Sequence, residues 1–333
     1  MMKKILLIGT GGTIASEVGG DGLTPELDAS RLLKFVPNVA SWCDVDWVQL
    51  YNLDSTNLRP ENWLGIARTI RENYDKYDGF VISHGTDTMS YSASALSFML
   101  DNLQKPVVFT GSQIPLCEIR SDGYNNIVTA VLLAAGGMVK EVCIYFDGKL
   151  LRGCRSTKTS SNQFAAFASP NCEVLASVGI TIDFKQTRGL PETTGEFSFA
   201  EFQEIPVGII KLFPGIQIKL FESIMTEQLK GVVLESFGAG NIPSSSGGEL
   251  IPIIDRAYRN GTLVVVCSQC VQGSVSLGAY ETSKALRDIG AVNGGDMTVE
   301  AAVTKLHYLF AKGYDTKTIC SMMETDLRGE LTR

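Results

Sequence analysis

Histidine is scarce in this sequence: of 333 residues only His84 and His307 carry an imidazole. Zinc and non-haem metal sites draw on clusters of His, Cys and acidic ligands, so a metal reading of His84 with Asp87 lacks partners. Basic charge is not in excess either. The 29 Lys and Arg stand against 36 Asp and Glu, a net charge of −7 with both His neutral, whereas nucleic-acid scaffolds are normally basic. Long apolar runs are also missing, and no stretch approaches the ~20 residues of a membrane span. The start, Met1-Met2-Lys3-Lys4, is what a signal peptide would offer. The apolar run that follows is only Ile5–Ile8, short of the ~7–15 residues of a secretory core, and it reads as a buried first strand. Eight cysteines (Cys43, Cys117, Cys143, Cys154, Cys172, Cys267, Cys270 and Cys320) are scattered along the chain. In a chain this long they imply reduced thiols in a cytoplasmic protein.

What is present is an ordinary globular composition, 44% apolar and 20% charged, in a chain too long for a single compact core. Apolar β-branched runs alternate with helical patterns, the signature of parallel βα units. Strands are expected at Lys4–Ile8, Val45–Tyr51, Gly79–Ser83, Pro106–Thr110 and Val142–Phe146. Helices are expected at Glu61–Tyr77, Ser90–Asn102 and Asp122–Ala135. The polar stretch 185–205, with Gly189, Pro191 and Gly195, reads as a linker. Beyond it the pattern restarts, with strands at Val207–Leu212, Gly231–Ser236 and Thr262–Ser268 and helices at Glu249–Arg259, Glu281–Ile289, Thr298–Ala311 and Asp315–Glu324. The expected architecture is α/β: a larger domain over 1–184 with a mostly parallel sheet flanked by helices, and a smaller α/β domain over 206–333.

Three segments could carry chemistry. Gly9-Thr10-Gly11-Gly12-Thr13-Ile14-Ala15-Ser16 follows the first strand, at the carboxyl edge where open α/β sheets bind ligands. As a dinucleotide loop it fails, because Ile14 stands where the third glycine belongs. The other readings are a plain tight turn, or a site that uses the hydroxyls of Thr10, Thr13 and Ser16. Ser83-His84-Gly85-Thr86-Asp87-Thr88 follows another apolar strand; read blandly, Thr86 and Asp87 cap the next helix. A Ser–His–Asp hydrolase is disfavoured, since no G-x-S-x-G elbow occurs. Ser156-Thr157-Lys158-Thr159 follows the Val142–Phe146 strand and the turn Asp147-Gly148. Its lysine matters only if the amine is buried beside a hydroxyl, where desolvation makes it a base. On a parallel sheet the three segments would converge at one edge, and that convergence weighs more than any one motif.

With GTGGTIAS (9–16), LDST (53–56), HGTDTM (84–89), TGSQIP (110–115), RSDGYNN (120–126), STK (156–158) and FGAGN (237–241) in view, the chain resembles the L-asparaginase family, in its cytoplasmic type I branch. The resemblance implies a larger N-terminal catalytic domain and a smaller C-terminal one. It implies hydrolysis of asparagine to aspartate and ammonia without metal or cofactor, in a homodimer or homotetramer. By motif, Thr13 resembles the primary nucleophile. Thr86, Lys158 and Asp87 resemble a second group: a hydroxyl, the amine that deprotonates it and a carboxylate beside them. Asp54 and Ser55 resemble the residues gripping the α-amino and α-carboxylate groups, Asp87 pairs with the ammonium, and Ser112 and Gln113 line the same pocket. A threonine hydroxyl becomes a nucleophile when a base takes its proton, and the oxyanion that forms needs preorganised N–H donors.

Two departures from the family pattern stand out. Family members often carry a tyrosine in the loop after the Thr13 turn; here Glu17–Pro25 has none, and Leu23 takes its place. With three glycines, this loop still reads as a lid. Some type I enzymes also bind asparagine at an allosteric site, using an Arg before FGAGN and a Cys in the segment matching SQC. Cys270 is present, but Glu235 stands where the Arg would be, with Arg155 the nearest cation near Thr157 in sequence. Two other functions compete. One is the amidase subunit of a tRNA-dependent amidotransferase, which shares TGGTIA and HGTD but normally has an extra N-terminal domain and a tRNA partner. The other is a non-catalytic amino-acid sensor, disfavoured because Thr13, Thr86 and Lys158 are all retained.

Overall fold

The computed structural model describes residues 2–19, 22–25, 39–186, 189–190, 195–202, 204–278 and 281–332. The chain divides into two compact units, Met1–Glu201 and Phe202–Arg333. In chain order the strands of the first unit are β1 (Lys3–Gly11), β2 (Ser16–Gly19), β3 (Gly22–Pro25), β4 (Cys43–Leu53), β5 (Gly79–Ser83), β6 (Leu100–Asp101), β7 (Val107–Thr110), β8 (Val142–Phe146), β9 (Lys149–Arg152), β10 (Thr157–Lys158), β11 (Phe167–Ala168), β12 (Ala176–Val178), β13 (Ile182–Phe184) and β14 (Ser198–Phe199).

Eight of them form one sheet in the order β13-β12-β9-β8-β7-β5-β1-β4. The run from β4 to β8 is parallel, and β9, β12 and β13 add antiparallel strands at the other side. Every residue of β5, β7 and β8 is buried. That is why these strands read as unbroken apolar runs: a parallel sheet covered on both faces has no polar alternation. The helix Gly123–Gly136 covers one face, with Ile127, Ala130, Val131 and Ala134 in a core shared with Ile5, Leu7, Val81 and Val108. Helices Pro60–Asn73 and Met89–Met99 complete the layering, the first entered through Pro60, where a missing N–H leaves no bond unmade.

Residues within the stretch expected as a linker run along this unit. β14 pairs with β6, and Phe197 stacks on Tyr74 with ring centroids 3.6 Å apart. The loop expected as a lid is an antiparallel β2–β3 hairpin with Val18 opposite Leu23; Gly20, Asp21 and the side chain of Leu23 lie outside the described residues.

The second unit holds a wholly parallel four-stranded sheet of β15 (Val207–Lys211), β16 (Gly231–Ser236), β17 (Leu263–Ser268) and β18 (Val292–Asn293). Its helices are Ser244–Arg259, Glu281–Asp288, Val299–Ala311 and Thr316–Met323, the first starting five residues before the expected Glu249. The fold is therefore the α/β arrangement that the sequence pattern predicts. Lys305 and Glu330, both 0% exposed, pair there, with the Lys305 amine also donating to Met323 O and Thr325 O at 3.0 and 2.6 Å. A buried pair of this kind is tolerable because further hydrogen bonds satisfy the charges.

Candidate active site

Close backbone contact begins the assembly of the site. Gly12, just past β1, adopts φ 80°, in the region that strains any residue with a side chain. Its N–H donates to Leu53 O at the end of β4, 3.0 Å away. A Cβ on Gly12 would fall 2.3 Å from Gly85 Cα, and one on Gly85 would fall 2.6 Å from Ser55 Oγ. The segments leaving β1 and β5 therefore touch backbone to backbone at Gly12 and Gly85, and the Ser55 side chain closes on Gly85 from the β4 segment. Thr13 follows Gly12 in the chain and Thr86 follows Gly85, so the two threonines leave neighbouring points of the backbone.

The structure separates the three hydroxyls of the first loop. Thr10 and Ser16 are buried, and each ties the loop together: Thr10 Oγ1 donates to Ser83 O at 2.9 Å and Ser16 Oγ to Gly12 O at 3.1 Å. Thr13 is partly exposed at the start of a single 3-10 turn, Thr13–Ala15, anchored by buried Ile14 and Ala15.

Lys158 reaches the site by a longer route than the sequence suggested. The Asp147-Gly148 turn closes a β8–β9 hairpin, so the lysine does not leave the carboxyl end of a parallel strand. The chain runs back along β9 to Arg152, which is held by Glu141 at 2.6 Å. It then turns at Gly153–Arg155, and buried Ser156 donates to Arg152 O at 2.7 Å. Lys158 then lies opposite Phe167 in the β10–β11 pair. Its Nζ donates to Thr86 Oγ1 and to Asp87 Oδ1, each at 2.7 Å. The lysine side chain is 18% exposed and that of Asp87 57%: a sheltered amine beside a wet carboxylate.

The expectation that Thr86 and Asp87 cap the next helix is corrected. That helix starts at Met89 with Thr88 as its cap residue and no side-chain cap bond. Thr88 Oγ1 donates to Ser55 O at 2.8 Å instead, which ties the β4 loop to the β5 loop and leaves Thr86 and Asp87 to Lys158.

The remaining expected residues divide. Gln113 joins the group, with Oε1 3.4 Å from Thr86 Oγ1 and Nε2 donating to Gln163 O at 3.0 Å. Ser112 is buried, and its hydroxyl donates to Ile114 O within its own loop at 2.5 Å. Ser55 sits against Gly85. Asp54 caps the Ser55–Asn57 turn, its Oδ1 accepting from Thr56 N and Thr56 Oγ1, both at 2.9 Å. One positioning group was not read from the sequence. The Asp122 carboxylate accepts from Gln113 N and Ile114 N at 3.0–3.1 Å and from Asn126 Nδ2 at 3.2 Å, so it holds the Gln113 loop. Its only sequence signal, an acid just before a helix, looks like an ordinary cap.

His84 is fully buried. Nδ1 lies 2.7 Å from Gly85 O and Nε2 2.8 Å from Ser92 Oγ, and burial pulls its pKa from 6.5 down to about 4, against a smaller opposing effect of the Gly85 bond. Among the described residues, no group of three His, Cys, Asp or Glu is placed to hold a metal.

The Asparaginase, N-terminal family model matches residues 4–189, and the Glutaminase/Asparaginase C-terminal domain model matches 206–323. The chain belongs to the asparaginase family. It is 41% identical to L-asparaginase 1 of Escherichia coli K12 over 339 aligned residues, covering 100% of this chain and 99% of that protein. The crystal structure of L-asparaginase I from Vibrio cholerae superposes with a TM-score of 0.91 at 38% identity, covering all of both chains. A glutamyl-tRNA(Gln) amidotransferase component from Pyrococcus abyssi is more distant, at 32% identity over 99% of this chain and 77% of that protein. Thr13, Thr86 and Lys158 all fall within the first unit and within the span of the N-terminal family model.

Proposed function

We propose that this chain hydrolyses the side-chain amide of L-asparagine to L-aspartate and ammonia through a threonyl ester, without metal or cofactor. The observation that carries the reading is the Lys158 amine, 2.7 Å from both the Thr86 hydroxyl and the Asp87 carboxylate, both on a segment whose Gly85 lies against Gly12 of the loop that bears Thr13. In this reading Thr13 Oγ1 attacks the amide carbon while its proton passes to a base in the site. The tetrahedral oxyanion collapses, the C–N bond breaks, and nitrogen leaves as ammonia carrying that proton. The Thr86 hydroxyl, deprotonated by Lys158, relays a proton from the incoming water, which opens the ester and restores Thr13. Asp87, half in water, meets the substrate ammonium, while Asp54 and Ser55 hold the α-substituents and Ser112 and Gln113 the rest of the pocket.

A cytoplasmic location accords with eight cysteines that form no disulfide. No helix among the described residues is long and apolar enough to cross a membrane. A homodimer or homotetramer accords with the exposed Trp42, Trp47, Ile119 and Ile180 of the first unit, and light scattering reads the state directly. Ammonia release from asparagine and from glutamine, measured on the purified chain alone, tests the function. Thr13→Ala and Thr86→Val are each expected to lower turnover roughly 10³-fold or more while leaving the protein folded. Near-wild-type release from either variant would sink the mechanism, and release only with a charged-tRNA partner would place the chain with the amidotransferases.

A further inference from the structure

His84 has no place in the chemistry described above, yet its surroundings fix both its proton and its neighbour. A carbonyl oxygen only accepts, so the ring nitrogen 2.7 Å from Gly85 O must carry a hydrogen: Nδ1 is the donor. In a neutral ring Nε2 is then an acceptor, and its partner 2.8 Å away is Ser92 Oγ. Ser92 is free to donate its single hydrogen there because its oxygen already accepts from the Trp63 indole N–H at 2.9 Å, and an indole can only donate. Every member of this line from Trp63 to Gly85 is buried. The alternative ring states each leave a buried mismatch. An Nε2–H ring would face the Gly85 carbonyl with a lone pair, and a doubly protonated ring would leave the Ser92 hydrogen unused in a dry site.

The line ends on one peptide plane. Gly85 O and the Thr86 backbone N belong to the same planar unit, so the direction of that carbonyl sets the direction in which the chain enters Thr86. Gly85 has no side chain to hold it, and it is wedged against Gly12 and Ser55. Its rotation about φ and ψ is limited by those contacts and by the His84 bond.

We propose that His84, held as the neutral Nδ1–H tautomer by Trp63 and Ser92, is a positioning residue that fixes the Gly85–Thr86 peptide and so keeps Thr86 Oγ1 within hydrogen-bonding reach of Lys158 Nζ. This deepens the asparaginase reading and rests on it for its kinetic consequence. The placement of the ring proton stands apart from it. Misplacing a reacting hydroxyl by about an ångström lowers a rate on the order of 10²-fold, and it does so chiefly through kcat, because Asp54, which grips an α-substituent, is held within its own turn by Thr56.

Two measurements test this. With two histidines in the chain, nitrogen-15 NMR of histidine-labelled protein, assigned with a His307→Gln variant, reads the tautomer without any turnover. The expected spectrum shows a protonated Nδ1 and a bare Nε2 for His84 at neutral pH; a protonated Nε2 overturns the proposal. In the second, kcat and KM are followed for ammonia release. His84→Leu is expected to lower kcat roughly 10- to 100-fold with a much smaller change in KM. His84→Asn, whose amide nitrogen replaces Nδ1 as a donor to Gly85 O, is expected to recover most of that loss. Should His84→Leu not fold, Ser92→Ala serves instead. It should lower kcat in the wild-type background and have no further effect on kcat beside His84→Asn, since Asn cannot reach Ser92. Wild-type kcat in His84→Leu, or equal losses in the Leu and Asn variants, also overturns the proposal. A wild-type protein that releases no ammonia removes the asparaginase reading alone, and the spectrum still decides the proton.

Discussion

At the residue scale, Lys158 is the side chain on which the proposed chemistry turns. It bridges a sheltered hydroxyl and a carboxylate that is 57% exposed. Lys158→Met keeps the length and the apolar stem but deletes the amine. Turnover should fall roughly 10³-fold or more, while stability should change by less than about 1 kcal/mol, because Asp87 can take water in place of the lost partner. Kinetics and urea unfolding on one preparation check both halves, and an active variant would make the lysine structural. His84 gives a different signature. Burial holds its folded-state pKa at about 4, below the ordinary 6.5, so the unfolded chain binds the proton first as pH falls. Stability is therefore full above about pH 6.5 and is lost as pH drops toward 4, by on the order of 3 kcal/mol. His84→Asn should flatten that slope in unfolding titrations between pH 4 and 7. Much of this scale was legible in the sequence: the residue types around Thr86 and Lys158 stand out in HGTD and STK. What spacing alone left open, with only the family resemblance pointing to Thr13, is which of Thr10, Thr13 and Ser16 the loop's own bonds take up. That depends on backbone carbonyls, Ser83 O and Gly12 O, which a pattern of letters does not place.

At the element scale, strands built from buried apolar runs were readable because burial on both faces removes every polar position from them. β9, β12 and β13 were not, being three or four residues long and antiparallel. The Asp147-Gly148 pair was seen as a turn. With φ of 44° and 78°, both residues lie in the left-handed region that a two-residue hairpin demands, so the same letters also announced the returning strand. Missing it placed Lys158 at a parallel strand end instead of beyond an antiparallel hairpin. The caps were misread for a related reason. Thr86 and Asp87 have capping chemistry, but the helix begins later, and their side chains are drawn away by Lys158, a partner 71 or more residues distant in sequence. Gly12 is where element geometry and site meet. A methyl there would add the strain of a positive φ to a collision with the Gly85 backbone, which cannot yield as a flexible side chain could. Gly12→Ala should destabilise the protein by about 2 kcal/mol or more and depress turnover out of proportion to any loss of folded protein, as circular dichroism beside an ammonia assay would show. An alanine variant with normal kcat would mean that the three loops need not touch.

At the scale of the whole molecule, every residue proposed for catalysis lies in the first unit, which raises the question of whether the second unit binds an effector. Some family members use a cation in the stretch before FGAGN to bind an asparagine effector, and here β16 presents Glu235. Its side chain is 17% exposed, and Lys211, its register partner in β15, places Nζ 3.5 Å from its carboxylate. On the other flank, β17 aligns Cys267 with Glu235. Burial first, and then the charges of Glu235 and Glu300, push that thiol up to about 12, so it stays neutral and adds no negative charge, and a thiol supplies no cation in either form. Arg155, the candidate substitute, is buried and donates to Asn171 O at 2.5 Å, a structural commitment. An effector carboxylate brought to Glu235 would therefore meet a like charge whose neighbouring cation is already paired, and like charges in a partly dry site repel. Asparagine should consequently give hyperbolic kinetics, with a Hill coefficient of about 1, and titration calorimetry on Thr13→Ala should find one asparagine per chain. Glu235→Arg should move the curve toward sigmoidicity if charge alone blocks the effector. Sigmoidal wild-type kinetics, or a second asparagine bound against Glu235 and Cys270 in a soaked crystal, would show that the second unit recognises the amino acid by some group other than the missing arginine.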